Sequence, residues 1–129
     1  MITLDEVLDE RKKRYEKSTS IIIKKGADYN RKQQNSGDTL FNMRVSTLLG
    51  ITDNPCQGVL VRLSDKFMRL NSLTSNPLEN PQVKDESVED TVDDIHNYVD
   101  YLVLFYREER KKLEDSVKEA IDRGFTETE

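Results

Sequence analysis

Between Asp85 and Tyr98 the chain sets out polar and apolar residues in an order that a helix sorts onto two faces. At roughly 100° per residue, Glu86, Asp90, Asp94 and Asn97 share one side, and Val88, Val92, Ile95, Val99 and Leu102 fall nearly opposite. The run from Tyr98 to Tyr106 that follows is apolar almost all round, which places it in a bundle core or a dimer interface. The spacing predicts one long helix from Lys84 or Asp85 to about Lys112, then an amphipathic segment using Leu113, Val117, Ala120 and Ile121 before Gly124. Strand-like alternation is scarce. The expected fold is therefore all-α: one domain over residues 1–129, four or five helices bundled about the long one. Only 35% of the residues are hydrophobic, low for a compact monomer of this length, so the core is expected to be completed in a dimer.

The remaining elements follow from punctuation and periodicity. Thr3 or Asp5 caps a first helix carrying Leu4, Val7, Leu8, Tyr15 and Ile22, which is expected to leave at Lys24-Lys25-Gly26. A polar loop over 26–37 then reads as a segment able to fold over a site. A short helix runs from Asp38 or Thr39 to Leu49, stopped by Gly50. Pro55 opens the next, with Val59, Leu60, Leu63, Phe67 and Leu70 on its apolar side. Residues 71–81, with two prolines and little periodicity, read as a second loop.

The carboxylate stripe has two readings. Like charges four residues apart repel, so the stripe either lies in water as a solvated face or meets a positive partner. Mg²⁺ is the natural cation for such a set: it takes oxygen ligands, keeps waters, and is often shared between carboxylates and a substrate's phosphates. One cysteine, Cys56, and one histidine, His96, offer no zinc or iron site. A net charge of −5 argues against general nucleic-acid binding. No apolar run reaches transmembrane length, no opening segment resembles a signal peptide, and the single cysteine suits a reducing compartment. The expectation is a cytoplasmic protein with no membrane partner.

Taken in order, Lys25-Gly26-Ala27-Asp28-Tyr29, Phe41-Asn42, the run Val61 to Leu70, and Asp85-Glu86-Ser87 with Asp90-Thr91, Asp94 and Asn97-Tyr98 form a recognisable series. The chain resembles the phage and bacterial family called nucleotide modification associated domain type 1. That family stands near the all-alpha nucleoside triphosphate pyrophosphatases, which include MazG-like proteins and dimeric dUTPases. The likeness spans about Ile22 to Leu104 and rests on the order of short motifs. It implies a magnesium-dependent helical bundle of the all-alpha pyrophosphatase type that hydrolyses a (deoxy)nucleoside triphosphate, in the host cytoplasm if the chain is phage-encoded. It implies an acidic centre of Asp65, Glu86, Asp90 and Asp94, with Glu86, Asp90 and Asp94 as metal ligands. Lys25, Lys66 and Arg69 become phosphate partners, and Asp28, Tyr29, Asn42 and Asn97 complete the substrate site.

Chemically the set is coherent. Carboxylates holding Mg²⁺ neutralise charge and position a water, while Lys and Arg hold the departing pyrophosphate. The bland alternatives stay open: Lys66 and Arg69 as surface ion pairs, and Lys25-Gly26 as an ordinary helix terminus. The helix before the acidic one offers Asp65-Lys66 where that superfamily carries two closely spaced glutamates. A non-catalytic module that binds a nucleotide, or a host or phage protein, therefore stands as the other reading.

Overall fold

The computed structural model describes residues 1–29, 37–82 and 87–124, the side chains of 26–29 excepted. It is all-helical, with no strand among the described residues. Helix α1 spans Leu4–Tyr29, a 3₁₀ turn Phe41–Arg44 leads into the one-turn helix α2 at Val45–Leu48, and α3 spans Pro55–Ser75. Helix α4 runs unbroken over Val88–Gly124.

Each long helix starts where its side chains can satisfy the free N–H groups. Thr3 and Glu6 cap α1 reciprocally: Thr3 N donates to Glu6 Oε2 at 3.1 Å, and Glu6 N donates to Thr3 Oγ1 at 3.2 Å. Asn54 caps α3, its side chain accepting from Gln57 N at 3.2 Å with Pro55 just inside the helix. Ser87 and Asp90 repeat the reciprocal arrangement at α4. Gly50, at φ 76°, sits in the left-handed region just past α2, as expected for the residue that stops that segment.

Five boundaries differ from the sequence reading, the first being that α4 begins at Val88, after its Ser87 cap, and not at Lys84 or Asp85. Helix α1 does not leave at Lys25-Gly26; the backbone stays helical through Tyr29, since one glycine inside a long helix costs only about 1 kcal/mol. Residues 30–36 of the expected first loop lie outside the described residues. The second loop, expected over 71–81, begins later because α3 continues to Ser75, with Thr74 and Ser75 hydroxyls donating back to Leu70 and Asn71 carbonyls. The single helix expected over 38–49 is split into the 3₁₀ turn and α2. Helix α4 does not break at Lys112; pairs such as Arg110 to Glu114, at 2.8 Å, carry it through the charged stretch.

Helix α4 is the central element. Its Asp93 and Asn97 meet Arg14 and Ser18 of α1, so α1 crosses α4 at that turn. On the other flank Lys66 meets Asp94 and Cys56 meets Leu102, so α3 runs antiparallel to α4. The buried apolar core lies on the α3 side: Met43, Val59, Leu63 and Phe105, with Ile95, Tyr98 and Leu102 packed around them. At about 2 kcal/mol per buried side chain, these residues dock the 3₁₀ turn and α3 onto α4. Arg44 completes that junction. Its guanidinium lies 4.9 Å from the centre of the Phe105 ring and pairs with both Asp38 and Glu108.

The α1 contact is polar instead. Arg14 Nη1 donates to Asp93 Oδ2 at 3.0 Å and to the Glu89 carbonyl at 3.3 Å, and Asn97 Nδ2 donates to the Ser18 carbonyl at 3.1 Å. Asp93 is wholly buried, 0% exposed, and its Oδ1 has no hydrogen-bond partner among the described residues. Arg14 Nε also stands 2.9 Å from Glu10 Oε1, but off the line a hydrogen bond needs. Burial pushes the Asp93 carboxyl above the usual carboxylate range, and the opposing pull of Arg14 does not cancel it.

The apolar face predicted for α4 divides. Ile95 and Leu102 pack on the core, whereas Val99, Val103, Leu104 and Tyr106 remain exposed.

Candidate functional site

On one side of the three-helix layer, α1 and α3 both send cations toward α4. Lys25 Nζ of α1 lies 3.4 Å from Asp94 Oδ1, and Lys66 Nζ of α3 lies 2.9 Å from Asp94 Oδ2. Asp94 is therefore clamped by lysines from two different helices. One turn earlier, Asp90 holds the start of α4: its Oδ2 accepts from the Ser87 hydroxyl at 2.8 Å and from Ser87 N at 3.2 Å. A cavity of about 290 Å³ opens between α1 and α4, lined by Lys17, Ile21, Lys24, Lys25, Asp90 and Asp94. Three lysines and two carboxylates thus face one space.

A smaller cavity of about 50 Å³ adjoins it under the 3₁₀ turn. Lys25 and Asp94 line both; Asn42, Arg62, Asn97, Tyr98 and Tyr101 line the smaller one. The Tyr98 and Tyr101 rings stand 6.2 Å apart, tilted by 54°. Burial, with Tyr98 next in effect, pushes the Tyr101 phenol above its ordinary value, so at neutral pH it keeps its proton to donate.

The predicted residues can now be placed. Lys25, Asn42, Asp90, Asp94 and Asn97 line the two cavities, and Lys66 reaches them through Asp94. Asn97 is 5% exposed and commits its amide N–H to Ser18, leaving its carbonyl oxygen as the group a ligand could use. Asp65 is exposed on α3 and lines neither cavity. Arg69 is half-buried on α3 and also lines neither. Glu86 lies outside the described residues, as do the side chains of Asp28 and Tyr29.

Sequence reading missed several participants. Lys17 and Lys24 stand at i and i+7 on the α1 face that also bears Lys25, a signal that was legible. Arg62 shares a face of α3 with Lys66, four residues on. Arg14 and Asp93 gave no local signal, because which of Asp90, Asp93 and Asp94 is buried depends on the packing of a helix 79 residues away.

The donor chemistry suits a hard cation. Asp90 and Asp94 supply only carboxylate oxygens, and Mg²⁺ commonly takes one or two such ligands plus waters and phosphate oxygens. Among the described residues no three His, Cys, Asp or Glu side chains gather closely enough to hold a metal unaided. No helix among the described residues is long and apolar enough to cross a membrane. Compared with protein-family models, curated proteins and solved structures, the chain has no significant match.

Proposed function

We propose that the chain binds a nucleoside triphosphate between α1 and α4 and, with Mg²⁺, cleaves it to a monophosphate and pyrophosphate, as a homo-oligomer in phage nucleotide metabolism. What supports this reading most is the single cavity into which Lys17, Lys24 and Lys25 project beside Asp90 and Asp94. A row of cations alone would suit any anion, and carboxylates alone any cation. Both together suit a metal-bound polyphosphate. Lys17, Lys24 and Lys25 would hold phosphate oxygens, with Lys66 freed for the same task once Asp94 turns to the metal. Asp90 and Asp94 would hold Mg²⁺, which supplies charge neutralisation at the cleaved phosphate. The adjoining cavity, with Asn42, Asn97 and the two tyrosines, offers amide and phenol groups to a base or sugar.

A specific observation favours a second reading, binding without turnover. Both Asp94 oxygens are already neutralised by Lys25 and Lys66. A nucleotide panel incubated with Mg²⁺ and resolved by ion exchange distinguishes the two. Monophosphate plus pyrophosphate supports the enzyme, and binding by calorimetry with no product supports the binding module. Lys25→Ala is expected to weaken nucleotide affinity about 10- to 100-fold, the loss of one charge-assisted bond. No heat of binding with any nucleotide, with or without Mg²⁺, would refute both.

A further inference from the structure

The small cavity under the 3₁₀ turn is lined by two cations, Lys25 and Arg62. Lys25 is spent on Asp94, at 3.4 Å. Arg62 is exposed on α3 and has no hydrogen-bonding or ionic partner among the described residues. Its guanidinium, with five N–H donors and no acceptor, is free to meet a ligand there. Its position also sets it apart from the phosphate lysines. Helix α3 runs antiparallel to α4, with Lys66 opposite Asp94 and Cys56 opposite Leu102. Arg62, one turn before Lys66, therefore stands about 6 Å further along the axis, toward Tyr98 and away from Asp90. Lys17, Lys24 and Asp90 line the larger cavity and not this one.

We infer that Arg62 selects the base of the bound nucleotide by forking onto two neighbouring acceptor atoms, so that the site takes guanine or cytosine in preference to adenine, thymine or uracil. The inference rests on the nucleotide reading above, whether or not the nucleotide is turned over, and adds to it the class of base.

At about 50 Å³ the cavity admits the edge of a base, a row of two or three polar atoms. A guanidinium fork is satisfied by two acceptors side by side. Guanine presents such a pair in its carbonyl oxygen and the imidazole nitrogen beside it, and cytosine in its carbonyl oxygen and the neighbouring unprotonated ring nitrogen. In each base the next group along is a donor, the ring N–H of guanine or the amino group of cytosine. Asn97 can meet that donor: its amide N–H is given to the Ser18 carbonyl, at 3.1 Å, so its own carbonyl oxygen is what it has left to offer. Adenine sets its amino group between its ring acceptors, and thymine and uracil set a ring N–H between their two carbonyls. Each would bring an N–H against the fork and leave guanidinium donors unpaired. Asn42 can turn its amide either way, and the tyrosine hydroxyls donate or accept, so neither reverses the choice that Arg62 makes.

Calorimetry with Mg²⁺ and the nonhydrolysable α,β-imido analogues of dGTP, dCTP, dATP, dTTP and dUTP tests the assignment. The guanine and cytosine analogues are expected to bind about 10- to 100-fold more tightly than the other three, the worth of one bidentate contact. Arg62→Ala should bring them down to the level of the others, and so should Arg62→Lys, which keeps the charge without the fork. The 7-deaza form of the guanine analogue lacks one acceptor of the pair. It should bind the unmodified chain about 10-fold more weakly than its parent, and the Arg62→Ala chain equally well. Because Arg62 is exposed and unpaired among the described residues, both substitutions should leave the melting temperature unchanged. Equal affinity for all five analogues, or a preference for adenine, thymine or uracil, would overturn the inference. So would an Arg62→Ala chain that loses affinity for all five alike, since Arg62 would then be holding phosphate. Binding of none of the five would overturn the nucleotide reading itself.

Discussion

Arg14→Ala should be the most damaging single truncation on α1, and its cost should depend on pH. Asp93 is wholly buried and Arg14 is its hydrogen-bonding partner, at 3.0 Å. Removing the guanidinium leaves a buried carboxylate whose Oδ1 was already without a partner among the described residues and whose Oδ2 has now lost one. Breaking such a pair costs about 3–5 kcal/mol; the lower end is expected here, because Lys17 still attracts the charge. For a chain of this size a loss of about 3 kcal/mol lowers Tm by roughly 10 °C.

The sign of the pH effect follows from the direction of the Asp93 shift. Burial already holds this carboxyl above its ordinary value, and loss of Arg14 raises it further. A raised carboxyl takes up a proton more readily folded than unfolded. Its contribution is therefore fully present below the unfolded value and is lost as pH rises through the folded one. The Arg14→Ala deficit should accordingly be largest near neutral pH and shrink as pH falls through the raised Asp93 value toward the ordinary carboxylate range, where Asp93 can be buried neutral. Urea titrations followed by far-UV circular dichroism, at fixed protein concentration, measure both. The double variant Arg14→Met with Asp93→Leu should recover most of the loss, since an apolar pair replaces a buried ion pair at little cost. A deficit below about 1 kcal/mol, or one that does not change with pH, would show that Asp93 is hydrated and the buried-pair reasoning wrong.

Other perturbations test the core side of α4. Glu108 is held below the usual carboxylate range by its hydrogen bond from Arg44. Its stabilisation is present above the ordinary value and lost as pH falls through the lowered one; because the side chain is 41% exposed, Glu108→Gln should cost less than about 1 kcal/mol at neutral pH and nothing once pH is below the lowered value. Gly58 packs against α2 so closely that an added Cβ would stand 2.6 Å from Ser46 Oγ, whose hydroxyl is bonded to Thr52 at 3.0 Å. Gly58→Ala should therefore be nearly neutral, the helix-propensity gain of about 1 kcal/mol being offset by displacing that hydroxyl. In a Ser46→Ala background the same substitution should be stabilising by about that amount, as read from denaturation midpoints.

What could be read in advance depended on how local its cause was. The long acidic helix announced itself because a 3.6-residue period is a property of neighbouring residues. Pro55, Gly50 and the Thr3 cap act within one turn and were equally visible. The stretch Arg107 to Lys112 looked like an end only because charge is a poor helix signal by itself; the i,i+4 pairs Lys112 with Glu108 and Arg110 with Glu114 make it a continuation. The choice among Asp90, Asp93 and Asp94 was not legible. Three acids within five residues look alike until the other helices are in place: Asp90 caps the helix locally through Ser87, α1 buries Asp93 against Arg14, and Asp94 goes to Lys25 of α1 and Lys66 of α3.

That division of labour explains why α4 tolerates so costly a residue as Asp93. Helix α1 touches α4 through few apolar contacts, so burial alone would leave it free to slide or turn against its neighbour. The Arg14 to Asp93 pair and the Asn97 to Ser18 bond are directional, and they sit one helical turn apart at the same offset. Together they fix the point at which α1 crosses α4, beside the cavity that Lys17, Lys24 and Lys25 share with Asp90 and Asp94. A pair of leucines in the same two positions would hold α1 about as strongly but in several registers, each with the lysines in a different place. The buried carboxylate contributes little net stability; what it fixes is the position of the charges one residue further along, where the candidate site lies.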